Sequence, residues 1–311
     1  MKVWRDKGIK VEMDGETISL DSGGEADYYL MSHAHSDHLI RRKNVDIFCS
    51  KETASLVMHR YEREFKFKNE KNIIPDIKFI DSGHILGSKS FYLADGETLL
   101  YTGDFSNQNR LFLKKADYKQ ADNLILETTF GKNVYTFPNQ AGELDRLKDW
   151  VEDGLKQSSV IVMGYSLGKA QLVSKLLEDL PVYTHGTVSK MNQVHSFLGV
   201  SMKTKELDLN HPPKQNFVYI MPPHLNKNLG FGLKRKFNMK SAICSGWAIN
   251  PFYKNMFNAD ESFVLSDHAD FEGLCETVKK VNPKKVYTMH GFSTEFSRHL
   301  KKEGYETEVL E

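Results

Sequence analysis

Short apolar runs and longer amphipathic stretches alternate along most of this chain. Residues 28–31 and 124–126 are apolar runs of strand length, whereas residues 142–157 have the spacing of an amphipathic helix. Because the two kinds of segment follow one another, the pattern predicts an α/β protein rather than separate all-α and all-β halves. Strands are predicted at 9–13, 17–20, 28–31, 77–80, 90–94, 99–102, 124–126, 160–163, 182–184, 217–220, 241–244, 262–265 and 286–289, and helices at 52–61, 142–157 and 169–179.

Charge is balanced over the whole chain but not along it. The 311 residues include 42 Lys or Arg and 41 Asp or Glu, for a formal net charge of +1. This balance excludes global basicity as a means of holding nucleic acid, but it leaves room for a local patch. Residues 209–259 contain no Asp or Glu, while basic and aromatic residues are interleaved there. Such a stretch suits a groove that follows phosphates and stacks bases, and it equally suits a solvated loop beside core strands.

Cysteine usage and hydropathy indicate the compartment. Cys49, Cys244 and Cys275 are scattered and odd in number, which argues against a disulfide framework. No apolar run approaches the roughly 18 residues of a membrane span. The N-terminus continues directly into charged residues, without the pattern of a signal peptide. We therefore expect a cytoplasmic protein that does not associate with membranes.

The strongest chemical signal is residues 33–38, directly after the apolar strand 28–31. The candidate ligands in this segment are His33, His35, Asp37 and His38. Neutral imidazole nitrogens and a carboxylate are ligands that Zn²⁺ or Mn²⁺ accepts. On an extended turn, side chains two residues apart converge on one ion, and those at the end of the segment turn toward a neighbouring one. A lone histidine is most often structural, but this density of ligands predicts a metal centre.

Further ligands of a two-metal site are expected at the ends of later strands. His84, Asp104 and His290 each come after a predicted strand and lie beside a glycine. Glycine allows the backbone to pass close to a metal or a substrate. An aspartate between two cations can bridge them at about 3.5–4 Å, as in two-metal hydrolases.

These residues make the sequence resemble the metallo-β-lactamase fold, specifically its nucleic-acid-processing β-CASP branch. The four motifs of the wider superfamily match Asp21, residues 33–38, His84 and Asp104. The three motifs that the β-CASP branch adds match Glu127, His268 and His290. The resemblance is greatest to the short prokaryotic exonucleases and messenger-RNA 3′-end-processing-like members, because their segments are similar to residues 165–171, 184–186 and 245–247.

The resemblance implies an α/β (α+β) architecture, an αββα sandwich into which a β-CASP α/β subdomain is inserted. The sandwich would be built from residues 1–135 and 259–311, and the inserted subdomain from residues 136–258. The wider family often forms homodimers, although no motif in this sequence requires one.

Roles for the matched residues also follow from the resemblance. Two Zn²⁺, or Mn²⁺ in their place, would be held by His33, His35, His84 and Asp104 on one side and by Asp37, His38, Asp104 and His290 on the other. Asp21 would orient the ligand loop. A hydroxide bridging the metals would attack phosphorus. The implied catalytic residues are Asp37, Glu127 and His268, with His268 donating a proton to the leaving oxygen and Glu127 binding its other nitrogen.

The glycine-flanked segment at 164–169 feeds a predicted helix and resembles a phosphate-binding turn. It is not a P-loop, because Ala170 follows Lys169 where the pattern requires Ser or Thr. We expect Lys169, Ser245 and Gly246 to contact the substrate backbone.

The expected function is hydrolysis of phosphodiester bonds in single-stranded nucleic acid, working from a strand end. RNA is slightly favoured over DNA, because a histidine at the last motif, as at His290, accompanies RNA-processing members. Against this, short prokaryotic members also have it and include proteins associated with DNA ligases, so a single-strand DNA exonuclease of DNA repair is the alternative. A small-molecule metallo-hydrolase of the same superfamily would explain the first four motifs, but not Glu127, His268 and His290. A silent nucleic-acid-binding subunit would usually have lost ligands, and none is missing.

Overall fold

The computed structural model describes residues 1–61, 64–69 and 76–310. They form two compact units, one of residues 1–109, 113–136 and 268–311 and the other of residues 110–112 and 137–267. The second unit extends past the expected boundary at 258. It does so because Glu261–Phe263 forms a strand that pairs in parallel with Lys240–Cys244.

Up to Glu127 the described residues form mainly strands, and beyond it strands and helices are interspersed. The strands are β1 (Lys2–Arg5), β2 (Ile9–Met13), β3 (Glu16–Leu20), β4 (Tyr28–Leu30), β5 (Asp46–Cys49), β6 (Lys66–Asn69), β7 (Ile77–Asp81), β8 (Lys89–Asp95), β9 (Glu97–Tyr101), β10 (Asn123–Glu127), β11 (Val160–Met163), β12 (Val182–Thr184), β13 (Lys205–Glu206), β14 (Val218–Met221), β15 (Lys240–Cys244), β16 (Glu261–Phe263), β17 (Lys285–Met289) and β18 (Glu306–Val309). The α-helices are α1 (Lys51–Arg60), α2 (Gln140–Leu155), α3 (Lys169–Leu176), α4 (Gly186–Phe197), α5 (Phe231–Phe237), α6 (Phe271–Val281) and α7 (Ser293–Lys302). None of these helices has both the length and the apolar character needed to cross a lipid bilayer.

Two six-stranded sheets pack face to face in the first unit. Their strand orders are β1-β2-β3-β4-β5-β6 and β18-β17-β10-β9-β8-β7. One apolar core holds Leu20 and Leu30 from the first sheet together with Phe91 and Ile125 from the second. On the other face of the second sheet, a separate core joins the strands to α6 and α7. The fold is therefore mixed α/β, with a sandwich of two sheets at its centre and helices outside the second sheet.

The second unit has one parallel sheet, in the order β13-β12-β14-β11-β15-β16. Alternate residues of β11 face opposite sides, so that Val160 and Val162 join one core and Ile161 and Met163 join the other. Helices α2 and α3 cover the first of these faces, and α5 covers the second. Because both faces are covered, the central strands β11 and β14 are continuous apolar runs with every residue buried, as interior parallel strands usually are.

The sheet topology of the first unit brings the candidate ligands to strand ends. Strands β9, β10 and β17 are parallel neighbours, so their carboxyl ends lie at the same edge of the second sheet. Asp104 follows β9, Glu127 ends β10 and His290 follows β17. His33 follows β4 of the facing sheet.

Candidate metal centre and catalytic histidine

Four of the expected ligands converge in the first unit. One nitrogen or oxygen atom from each of His33, His35, His84 and Asp104 lies within 4.8 Å of all the others. His33 and His84 are fully buried and Asp104 is nearly so. A buried group of three imidazoles and one carboxylate is the donor set of a zinc site.

The spacing around Asp104 resembles that of a ligand shell. Its Oδ2 atom lies 3.5 Å from His33 Nε2, 3.4 Å from His38 Nε2 and 3.7 Å from His84 Nε2. These separations exceed the usual 2.7–3.2 Å of N–H···O hydrogen bonds. They are close to the roughly 3.3 Å between neighbouring ligands that sit 2.0–2.1 Å from a tetrahedral zinc.

His33 provides a direct test of whether the cluster fits a cation. The Ser32 hydroxyl donates to Asp21 Oδ2 at 2.6 Å and lies 2.8 Å from His33 Nδ1. The hydroxyl therefore accepts from Nδ1–H, which leaves the lone pair on Nε2. Among the described residues, His33 Nε2 is buried without a hydrogen-bond partner. Since an unsatisfied buried acceptor is costly, the site fits a metal ion that accepts this lone pair.

Asp21 orients the ligand loop through four hydrogen bonds. It accepts from the Ser32 amide at 2.6 Å and the Ser32 hydroxyl at 2.6 Å, from the Tyr101 hydroxyl at 2.8 Å and from His38 Nδ1 at 2.9 Å. Because its Nδ1 is occupied by this carboxylate, His38 directs Nε2 toward Asp104. Neither Ser32 nor Tyr101 was expected from the sequence. Ser32 could have been found as the hydroxyl residue directly before the ligand segment.

A second pair of histidines places two ring nitrogens in contact. His84 Nε2 lies 3.0 Å from His35 Nδ1. Either one nitrogen carries a proton that the other accepts, or both lone pairs face a common cation. The second arrangement agrees with the membership of both residues in the four-ligand cluster.

In the other expected ligand set, Asp37 and His290 are more exposed to solvent than the residues of the buried cluster. Asp37 is 72% exposed, and its Oδ2 atom lies 3.8 Å from His38 Nε2. The His290 side chain is exposed, with its ring centroid 5.4 Å from that of His38. His290 and Gly291 both have left-handed backbones, with φ of 59° and 55°. A Cβ at Gly291 would lie 2.4 Å from Thr129 Cα, so this turn requires glycine.

His268, the expected proton donor, lies against Glu127. His268 Nδ1 lies 2.9 Å from Glu127 Oε1, and Glu127 is fully buried. The other carboxylate oxygen, Oε2, accepts from the Thr129 amide at 2.9 Å. His268 is 23% exposed, and its ring lies 4.6 Å from that of His84. One atom from each of Asp104, Glu127 and His268 lies within 4.8 Å of the others, so the pair adjoins the metal cluster.

The carboxylates of the cluster favour positive charge at His38, whereas burial holds the pKa of His33 well below its usual value. Burial, the largest single influence, lowers the pKa of His38, but the Asp104 and Asp21 carboxylates outweigh it and hold that pKa well above its usual value. Burial likewise raises the pKa of Asp104, yet the charges of His38 and His268 bring it well below the usual range. A carboxylate that stays ionised in the interior attracts a cation.

The expected substrate contacts lie in the second unit and have partners there. The Lys169 ammonium is buried and donates to Asp267 Oδ1 at 2.9 Å. Arg110 donates to the same oxygen at 2.6 Å. Ser245 is buried, and its hydroxyl accepts from the Trp247 amide at 3.3 Å, and the adjacent Gly246 is also buried. Contact of Lys169, Ser245 and Gly246 with substrate remains a prediction.

Asp267 is expected to stabilise the second unit. Replacing it by Asn should lower the free energy of unfolding by about 3–5 kcal/mol, because two buried cations lose their countercharge. Lys169→Met should change that free energy by less than about 1 kcal/mol, since one cation then remains for one carboxylate. Urea denaturation followed by tryptophan fluorescence measures both. Equal losses in the two variants would contradict this account of the cluster.

Known proteins are similar to this chain in sequence and in fold. A family model described as "Zn-dependent metallo-hydrolase RNA specificity domain" matches residues 258–310. A "Probable DNA ligase" of Opitutus terrae is 34% identical over 289 residues, which cover 89% of this chain and 28% of that protein. An "RNase J-like protein" of Methanocaldococcus jannaschii is 25% identical over 358 residues, covering 89% of this chain and 84% of that protein.

A solved structure extends the likeness over the whole fold. The crystal structure of a protein of unknown function from Enterococcus faecalis V583 matches 99% of this chain and 97% of its own, with a TM-score of 0.66. At 13% identity this match shows the fold alone. The sandwich of two sheets and its histidine–aspartate cluster are typical of metallo-hydrolases. The chain belongs to the metallo-β-lactamase β-CASP nuclease family. It spans only 28% of the length of the Opitutus terrae relative.

Proposed function

We propose that this protein is a metal-dependent nuclease that hydrolyses phosphodiester bonds of single-stranded nucleic acid, releasing nucleotides from a strand end. The observation that carries the proposal is the Glu127–His268 pair beside the buried ligand cluster. A metallo-hydrolase acting on substrates with good leaving groups does not need such a pair. Cleavage of a phosphodiester does, because the departing sugar oxygen must be protonated.

The residues of the chain divide the work between binding and proton transfer. His33, His35, His84 and Asp104 would hold one zinc ion, and Asp37, His38, Asp104 and His290 a second. When bound, such ions neutralise phosphate charge and lower the pKa of water. His268 donates its proton from Nε2 to the leaving oxygen. Glu127 accepts from Nδ1–H, which fixes the ring orientation and stabilises the imidazolium.

RNA is the favoured substrate, with single-stranded DNA as the second candidate. The description of the matching family model names RNA specificity, and one relative is RNase J-like. The probable DNA ligase, at 34% identity, favours a role in DNA repair instead.

Cleavage of labelled strands tests the proposal. Purified protein with Zn²⁺ or Mn²⁺ should shorten 5′-labelled single-stranded RNA faster than DNA of the same sequence. An Asp37→Ala/His38→Ala double variant should lose this activity, because two ligands of the centre are removed. Equal cleavage by the wild type and the double variant would refute the nuclease. Products that begin in the strand interior would refute the exonucleolytic mode alone.

A further inference from the structure

An open groove of about 570 Å³ lies in the second unit, on the stretch of chain without acidic residues. Its walls are α5, the turn after that helix at Asn238, and Asn258 at the end of a 3₁₀ helix. No residue of the metal cluster lines it.

Helix α5 turns toward the groove the face that is not buried in the core. Leu233 is buried in the core of the second unit, and Phe237 packs there with its ring 6.1 Å from that of Phe217. Phe231 and Arg235, four residues apart, share a different face of the helix and both line the groove. Phe231 is 47% exposed, so its ring is accessible from the groove. The groove therefore offers an aromatic ring and a guanidinium side by side.

The second cation in the groove wall has a structural partner. Lys234 Nζ donates to Asn258 O at 3.0 Å and to Asp260 Oδ2 at 3.0 Å. These bonds join α5 to the wall that contains Asn258. The ion pairs of the described residues include this one but none that involves Arg235. Lys234 thus fixes the shape of the groove, and Arg235 is the positive charge that a ligand meets.

We propose that this groove binds a segment of a single-stranded nucleic acid, with Arg235 on a phosphate and Phe231 stacked on a base. The proposal rests on the proposed function, since a nuclease that acts on single strands gains affinity from an additional contact with the strand. Exposed rings beside cations bind single strands of any sequence, because every base has a π face. The side-chain amides of Asn238 and Asn258 add donors for phosphate or base oxygens. An acidic protein segment would use the charge of Arg235 but not the ring.

Gly232 allows a test that does not disturb the fold. A Cβ at this position would meet no atom within 4 Å outside its own helix and its chain neighbours. Gly232→Ala and Gly232→Glu therefore both fit, and only the second places a carboxylate in the groove. Alanine is also a better helix former than the glycine it replaces, so Gly232→Ala serves as the matched control for Gly232→Glu.

Binding is measured by fluorescence anisotropy with labelled 15-nucleotide RNA and DNA strands, in the Asp37→Ala/His38→Ala background so that nothing is cleaved. Gly232→Glu should weaken binding at least tenfold, whereas Gly232→Ala should bind as the parent does. Phe231→Ala should weaken it about fivefold or more. Arg235→Ala should make the slope of log affinity against log salt shallower by about 0.7, the value for one lost phosphate contact on a single strand.

Two controls decide between explanations. Lys190→Glu reverses an exposed charge on α4, which packs at the β13 edge of the sheet, and should leave binding unchanged. If Gly232→Glu binds like Gly232→Ala, the groove proposal is overturned. It is also overturned if inorganic polyphosphate binds as tightly as the strands and Phe231→Ala has no effect, because the surface is then a general anion site.

One substrate distinguishes a failure of the groove proposal from a failure of the proposed function. Bis(p-nitrophenyl) phosphate is a phosphodiester with no strand to reach the groove. If the wild type cleaves it while the groove variants bind strands equally well, only the groove proposal fails. If the wild type with metal cleaves neither this substrate nor any strand, the nuclease itself is refuted.

Discussion

His268→Ala should reduce the rate of strand cleavage by about 10²–10⁴-fold, the usual contribution of a positioned general acid. The reason is the leaving group: a sugar alkoxide departs slowly unless it receives a proton, and the His268 ring lies beside the ligand cluster. The two metals should remain bound, because His268 is not among the proposed ligands. Single-turnover cleavage of labelled RNA, with metal content measured by mass spectrometry, gives both quantities.

The leaving group offers a control for this result. p-Nitrophenolate departs without protonation, so His268→Ala should cleave bis(p-nitrophenyl) phosphate at nearly the wild-type rate. Glu127→Gln keeps a hydrogen-bond acceptor at the buried position but removes the charge that stabilises the imidazolium, and it should fall between the wild type and His268→Ala on RNA. Equal losses on both substrates, or loss of a metal from His268→Ala, would contradict the role of acid.

Asp104→Ala should abolish cleavage of every phosphodiester and remove bound metal. Its Oδ2 atom lies within 3.4–3.7 Å of three imidazole nitrogens, and Asp104 belongs to both proposed ligand sets. Without it, the site loses the negative charge that balances a divalent cation. Competition with a fluorescent chelator measures the change in metal affinity independently of activity.

Asp21→Ala is the comparison for this experiment. Asp21 accepts hydrogen bonds from Ser32, Tyr101 and His38 and belongs to neither proposed ligand set. Its loss should weaken metal binding by about 10–100-fold, as is usual for groups that orient ligands. Asp104→Ala should weaken it further. A larger effect from Asp21→Ala would mean that Asp21 itself is a ligand.

The elements that the sequence predicted are mostly the buried ones. All four residues of β11 are buried, and a continuous apolar run cannot be mistaken for a loop. By contrast, β6 exposes three of its four residues and β18 exposes two, so neither has an apolar run to recognise. Their strand conformation comes from pairing with β5 and β17. Tertiary pairing of this kind leaves no trace in local hydrophobicity.

Helix α6 is a different case, because its signals are present in the sequence. Asp270 accepts from the Gly273 amide at 2.8 Å, the pattern of a helix start, and Leu274, Val278 and Val281 follow at helical spacing.

For the site, residue type and spacing indicated the ligands but not the groups that orient them. Tyr101 ends an apolar strand, and nothing in that run distinguishes it from a core residue. Its hydroxyl reaches Asp21, 80 positions earlier, only because the two sheets face each other. The partners of Lys169 were hidden in the same way, since Asp267 lies 98 positions later. Interactions between distant segments require the fold.

The parallel pairing of β17 with β10 has a consequence for the order of synthesis. β17 occupies an interior position in its sheet although 157 residues separate the two strands in the chain. A ribosome therefore makes the whole second unit before it makes the segment with His268 and His290. Since domains tend to fold as they emerge, the second unit can be complete while the first still lacks these residues. An unfinished chain thus carries most of the proposed ligands but not the proposed proton donor, and the proposed cleavage requires that synthesis has passed residue 290.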